Sequence, residues 1–200
     1  IFNISSFFFL IIILFNIKNI YNTIPGDGWA YNELFINYSE GLIRRGILGS
    51  IFLFFSENFS IRPQIFFTSL IAFFHIINAI LFLLLIKKFK NFKFIILLLL
   101  FSPALLFFPI YEINVFLAKD VFTNFAILLH AYFANLKIRK LIDNNFYIKI
   151  LNFLVIPIIF FNILNHENQF FFISVHFLIS LIVLQVTSLN IFIKKINYFF

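Results

Sequence analysis

The polar chemistry of this chain is gathered into a few short stretches. Asp27 stands alone between two glycines in Gly26-Asp27-Gly28. A carboxylate in such a turn either caps a following helix, by accepting from its first free amides, or acts as a general base toward a hydroxyl. Arg44-Arg45 presents two planar guanidinium forks, suited to a phosphate or to lipid headgroups. Lys119 offers a further cation, and Asp120 beside it reads as a helix N-cap. In Asn165-His166-Glu167-Asn168-Gln169 a histidine adjoins a carboxylate. That pair can pass a proton or hold a sugar, and it also suits the polar turn of a helical hairpin. Glu33, Glu40 and Glu112 are additional carboxylates near these stretches. The chain has no cysteine, and His166-Glu167 lacks the second histidine of a zinc motif. No cofactor is required by these residues. A divalent cation near Glu112 or Asp120 is an open option that nothing in the sequence specifies.

The elements that must hold these residues are membrane elements. The chain is 62% hydrophobic and 12% charged, with mean hydropathy +1.04. Soluble domains carry about 25% charged residues, so lipid must cover much of this surface. Six apolar runs approach the roughly 20 residues that a crossing helix needs: Ile1–Ile17, Gln64–Ile86, Phe94–Ile110, Val121–Leu136, Ile150–Leu164 and Phe170–Ile193. The expected fold is therefore an all-α integral membrane protein, a single polytopic domain over residues 1–200. Without a methionine at its start, the chain reads as a piece of a longer protein.

A net charge of +7 would suit nucleic acid, but the charges lie in short loops between apolar runs, so no nucleic-acid partner is expected. Ten of the fifteen basic residues fall in three loops that the six runs place on one side. The positive-inside rule makes that side cytoplasmic, with both ends of the chain there and the membrane a bacterial inner membrane. Seven of the eight acidic residues then fall outside. The first outer loop, 18–63, is the longest. In it Tyr31, Leu34, Phe35, Tyr38 and Leu42 recur at three and four, and Glu33, Asn37, Glu40 and Arg44 form a second stripe. That pattern predicts an amphipathic helix over 29–45 lying on the membrane surface. Gly46–Phe55 is apolar but short for a span, so it reads as a re-entrant or interfacial helix; the competing topology, with Leu42–Phe59 as a span, would put the first loop in the cytoplasm and the N-terminus outside. Within the runs, His75, Asn78, His130 and His176 are expected to bond between helices or to line a polar interior.

One span, a long outer loop with an early acid and a surface helix, then further spans with short outer loops: this order resembles the GT-C class of membrane glycosyltransferases. The likeness rests on Asp27, ten residues beyond Ile17, and on Arg44-Arg45-Gly46. It implies sugar transfer from a polyprenyl-phosphate carrier at the extracytoplasmic face. Asp27 would then be the catalytic base. Arg44, Arg45 and Lys119 would hold the lipid phosphate, and His166 and Glu167 the sugar or acceptor. Membrane lipid and a polyprenyl-phosphate-linked sugar would be the partners. An O-antigen-type polymerase, a lipid-linked sugar flippase and a non-catalytic envelope subunit remain alternatives.

Overall fold

A computed structural model describes residues 11–15, 18–19, 32–39, 41, 46–86, 116–165 and 167–197, without side chains at 64, 86, 167–169 and 186–197. Most of the described residues are helical, and three helices are long and apolar enough to cross a membrane. Of the six expected spans, Phe94–Ile110 and most of Ile1–Ile17 lie outside the described residues.

Helix α1, Ile47–Phe59, is apolar and 13 residues long. At about 1.5 Å per residue it covers about 20 Å, short of the roughly 30 Å hydrocarbon core. It ends at Ser60, whose amide still bonds back to Ser56 and whose left-handed φ of 51° turns the chain out of the helix. Helix α2, Pro63–Ile86, starts two residues later. Proline suits that first position, where no intrahelical N–H is needed. Its apolar stretch Ile65–Leu85 carries no acid, lysine or arginine.

Helix α3, Asp120–Ile138, ends where Arg139 and Lys140 leave the helix, with Lys140 left-handed at φ 59°. Cations there complement the negative end of the helix dipole. Helix α4, Asn144–Ile150, begins on an Asp143 cap, whose carboxylate accepts from the Phe146 amide at 2.7 Å. The chain continues through a π-helical stretch, Leu151–Val155, into α5, Ile156–Asn165. Pro157 explains the widened turn: its ring would collide with the carbonyl four residues earlier in a regular α-helix. Together Asn144–Asn165 make a candidate span six residues longer at its start than the apolar run predicts. A 3-10 turn, Glu167–Phe172, then leads into α6, Ile173–Asn197.

Helices α2 and α3 pack most extensively on each other and run parallel. Their contacts advance together: Phe74 meets Phe122 and Phe125, and Leu81 clusters with Leu128 and Leu129. The α4–α5 rod runs antiparallel to α3, with Tyr147 near Ala134 and Asn162 near Phe122. Helix α6 follows α3 in parallel, with His176 at His130 and Val183 near Ala134. The rod, the 3-10 turn and α6 turn Phe153, Phe160, Phe171 and Phe177 outward, each more than half exposed, as lipid-facing side chains are.

The amphipathic helix expected over 29–45 does not persist through its described part. Asn32 and Glu33 are helical, but the chain turns at Leu34 and Phe35 and is irregular over 36–39. The cause is local. Asn37 donates to the Phe35 carbonyl at 3.0 Å and accepts from the Ser39 amide at 2.9 Å, closing turns that compete with the helical ladder. The two-stripe periodicity reflected burial instead: Leu34 is fully buried and Phe35 packs edge-on against Phe52 and Phe67. The Tyr38 amide donates to Ser50 Oγ, tying this segment to the start of α1. Gly49 allows the contact, since a Cβ there would strike the Ile36 backbone.

Candidate functional site

Three helix ends meet beside the middle of α2. His75 Nε2 lies 3.0 Å from the Phe116 carbonyl oxygen, just before α3. Asn78 donates to the Val121 carbonyl at 3.0 Å, in the first turn of α3. From the other side, Asn162 of α5 donates to the next carbonyl, Phe122, also at 3.0 Å. Asn165, the last residue of α5, accepts from the Leu48 amide at 3.2 Å and so caps α1 from another helix. The start of α1, the start of α3 and the end of α5 therefore share one level. It lies about 18 Å along α2 from Pro63, counting twelve residues to His75.

Charge is present at this level. Lys119 stands immediately before α3, without a side-chain cap bond, and is 3% exposed. A lysine is disfavoured at the positive end of a helix dipole, and burial adds a desolvation cost. Its surroundings must therefore offset both, and Lys119 does engage a partner. Asp120 lies inside the first turn of α3, not at the cap position its sequence suggested. It is exposed, and its charge complements the helix dipole there. Glu33 is half-buried; its neighbour Leu34 shares an apolar cluster with Phe116 and Leu117, the residues leading to Lys119. Glu167 opens the 3-10 turn two residues after Asn165. Three of the nominated segments thus reach one end of α3. Asp27, Glu40, Arg44, Arg45, Glu112 and His166 lie outside the described residues. Among the described residues no three His, Cys, Asp or Glu side chains gather as a metal site would require.

A second polar centre lies deeper along α3. His130 and His176 face each other with their Nδ1 atoms 3.0 Å apart and their rings nearly parallel. His130 Nε2 is 3.0 Å from the Tyr147 hydroxyl, which Ser180 also approaches. Ser180 Oγ donates to the His176 carbonyl at 3.0 Å. A carbonyl can only accept, so Ser180 gives its proton there. The two histidine contacts are set by the tautomers: either His130 Nε2–H donates to Tyr147 and His176 Nδ1–H to His130 Nδ1, or Tyr147 donates to His130 Nε2 and His130 Nδ1–H to His176 Nδ1. The four side chains form a loop that begins and ends on His176, and it joins α3, α4 and α6.

Interhelical bonding at His75, Asn78, His130 and His176 follows from polar groups placed in apolar helices. Tyr147, Asn162 and the cap by Asn165 were not singled out from the sequence. The one available signal was Asn162 and Asn165, three residues apart on a single face of an apolar helix. The chain matches no family model, no curated protein and no solved structure.

Proposed function

We propose that this chain is a membrane glycosyltransferase that moves a sugar from a polyprenyl-phosphate carrier to an acceptor at the extracytoplasmic face. The observation that supports this most is Lys119: a lysine almost fully buried at the start of α3, next to an exposed carboxylate and at the level of the buried asparagines. Ionisable residues inside a membrane bundle are rare and mark functional sites. In this reading Lys119 holds the carrier phosphate with Arg44 and Arg45 and stabilises its charge as it leaves. Asp27 takes the proton of the acceptor hydroxyl. Glu33 or Asp120 orients the acceptor, and His166 and Glu167 hold the sugar. The carrier chain stays in lipid, so approach is confined to the membrane plane.

The test is transfer of a radiolabelled sugar from polyprenyl phosphate by the protein reconstituted in bilayers. Lys119→Ala and Asp27→Asn should each lower turnover by about 10² or more, the size of loss seen when one charge-stabilising or proton-transferring group is removed. Lys119→Arg should keep part of it. Unchanged turnover in both variants would remove these residues from the site.

A lipid-linked sugar flippase is a second reading, favoured by the buried loop of His130, Tyr147, Ser180 and His176, which supplies polar groups deep along the helices. Proteoliposomes separate the two: a flippase moves intact carrier across the bilayer and forms no transfer product.

A further inference from the structure

We propose that Asn78, Asn162 and Asn165 form a subsite for a neutral, hydroxyl-rich group, a sugar ring, at the level where α1, α3 and α5 meet. This rests on the glycosyl-transfer reading above and adds three sugar-holding residues to His166 and Glu167.

Each asparagine is at most 3% exposed, and each bonds through only one atom of its amide. The partners decide which atom remains. The carbonyls of Val121 and Phe122 can only accept, so Asn78 and Asn162 face them with Nδ2 and keep Oδ1 unmatched. The Leu48 amide can only donate, so Asn165 faces it with Oδ1 and keeps Nδ2 unmatched. All three leftover atoms are buried without a partner. An apolar helical bundle gains nothing from unmatched amide atoms, since buried polar groups are normally paired.

The set they form is specific: two acceptors, and one nitrogen with two hydrogens to give. A phosphate needs donors alone, and a metal cation needs acceptors alone. Hydroxyls both give and accept, and a sugar ring carries several of them. Phe122, whose carbonyl accepts from Asn162, packs its ring edge-on with Phe74 at 4.8 Å and Phe161 at 6.0 Å, so apolar surface suited to the C–H side of a sugar lies beside this amide. The asparagines are closed off here, so entry requires α5 to swing from α3. The π-helical stretch Leu151–Val155 and Pro157, which lie before Asn162, supply a point of bending.

The experiment uses the full chain in nanodiscs and methyl glycosides of glucose, galactose, mannose and N-acetylglucosamine as probes. Saturation-transfer NMR reads binding, and inorganic phosphate is the control titrant. At least one glycoside should bind, and phosphate should not displace it. Asn78→Leu and Asn162→Leu should each weaken binding about three- to tenfold, the value of one neutral hydrogen bond. Neither should lower resistance to denaturing detergent, because each removes an unmatched atom as well as a bond. Three results would overturn the subsite: no glycoside binding, binding unchanged in the double variant, or asparagines filled by ordered water only. Unchanged kinetics of sugar transfer in the double variant would also overturn it while leaving the transferase reading intact. Conversely, a chain that binds glycosides through these asparagines but never transfers a sugar sinks the transferase reading and leaves the subsite standing.

Discussion

Replacing Tyr147 by Phe removes a single oxygen from the loop that links His130, His176 and Ser180. The ring remains, so the apolar cluster around Tyr147, Ala134 and Val183 keeps its volume. What changes is that His130 Nε2 loses its hydrogen-bond partner. His130 is 1% exposed and Tyr147 is 5% exposed, so no solvent stands ready to replace the hydroxyl. An unmatched buried donor or acceptor costs about 1–3 kcal/mol. Side-chain hydrogen bonds between membrane helices measure lower, about 0.6 kcal/mol on average and about 1.7 at most. Full burial and good geometry at 3.0 Å place this bond in the upper part of that range, at about 1–2 kcal/mol. The assay is reversible unfolding in mixed micelles, run as a double-mutant cycle with His130→Leu. Because the two groups touch, the cycle should show coupling of about 1 kcal/mol. Nitrogen-15 NMR of the histidine rings at neutral pH reads the tautomers independently. Of the two facing Nδ1 atoms, one should carry a proton and the other should not. Coupling within the roughly 0.3–0.5 kcal/mol scatter of independent sites, or Nδ1 atoms that are both protonated or both bare, would refute the reasoning.

Two further outcomes follow from packing and topology. Gly49→Ala should destabilise the protein by more than about 2 kcal/mol in the same unfolding assay, because the new Cβ meets the backbone of Ile36 and not a movable side chain. Since the chain contains no cysteine, single cysteines can be placed freely. Asn58→Cys and Arg139→Cys lie in exposed positions at opposite ends of the bundle. A membrane-impermeant maleimide added to intact cells should label Asn58→Cys and spare Arg139→Cys. Labelling of both from the same side would show that the helices do not cross.

The sequence alone determined that this is a helical membrane protein and roughly where its long helices lie. That information is local. A run of apolar residues must bury its backbone polar groups in a helix if it is to lie in lipid, whatever its neighbours do. Hence Pro63–Ile86 and Asp120–Ile138 fall within a few residues of the expected spans, and Gly46–Phe55, too short to cross, lies within a short helix. The periodic stretch around Leu34 misled for the same reason. Hydrophobic spacing reports which residues are buried, and Asn37 gave the backbone a competing set of partners. Only the tertiary structure decided which polar residues meet. Asn165 caps a helix that begins 117 residues earlier, and His130 reaches His176 across 46 residues. Such pairings depend on the order and tilt of packed helices, which no spacing within one helix encodes. The placement of Lys119 is of the same kind: a charge between two apolar runs reads as a loop residue until the neighbouring helix extends past it and closes it off from water.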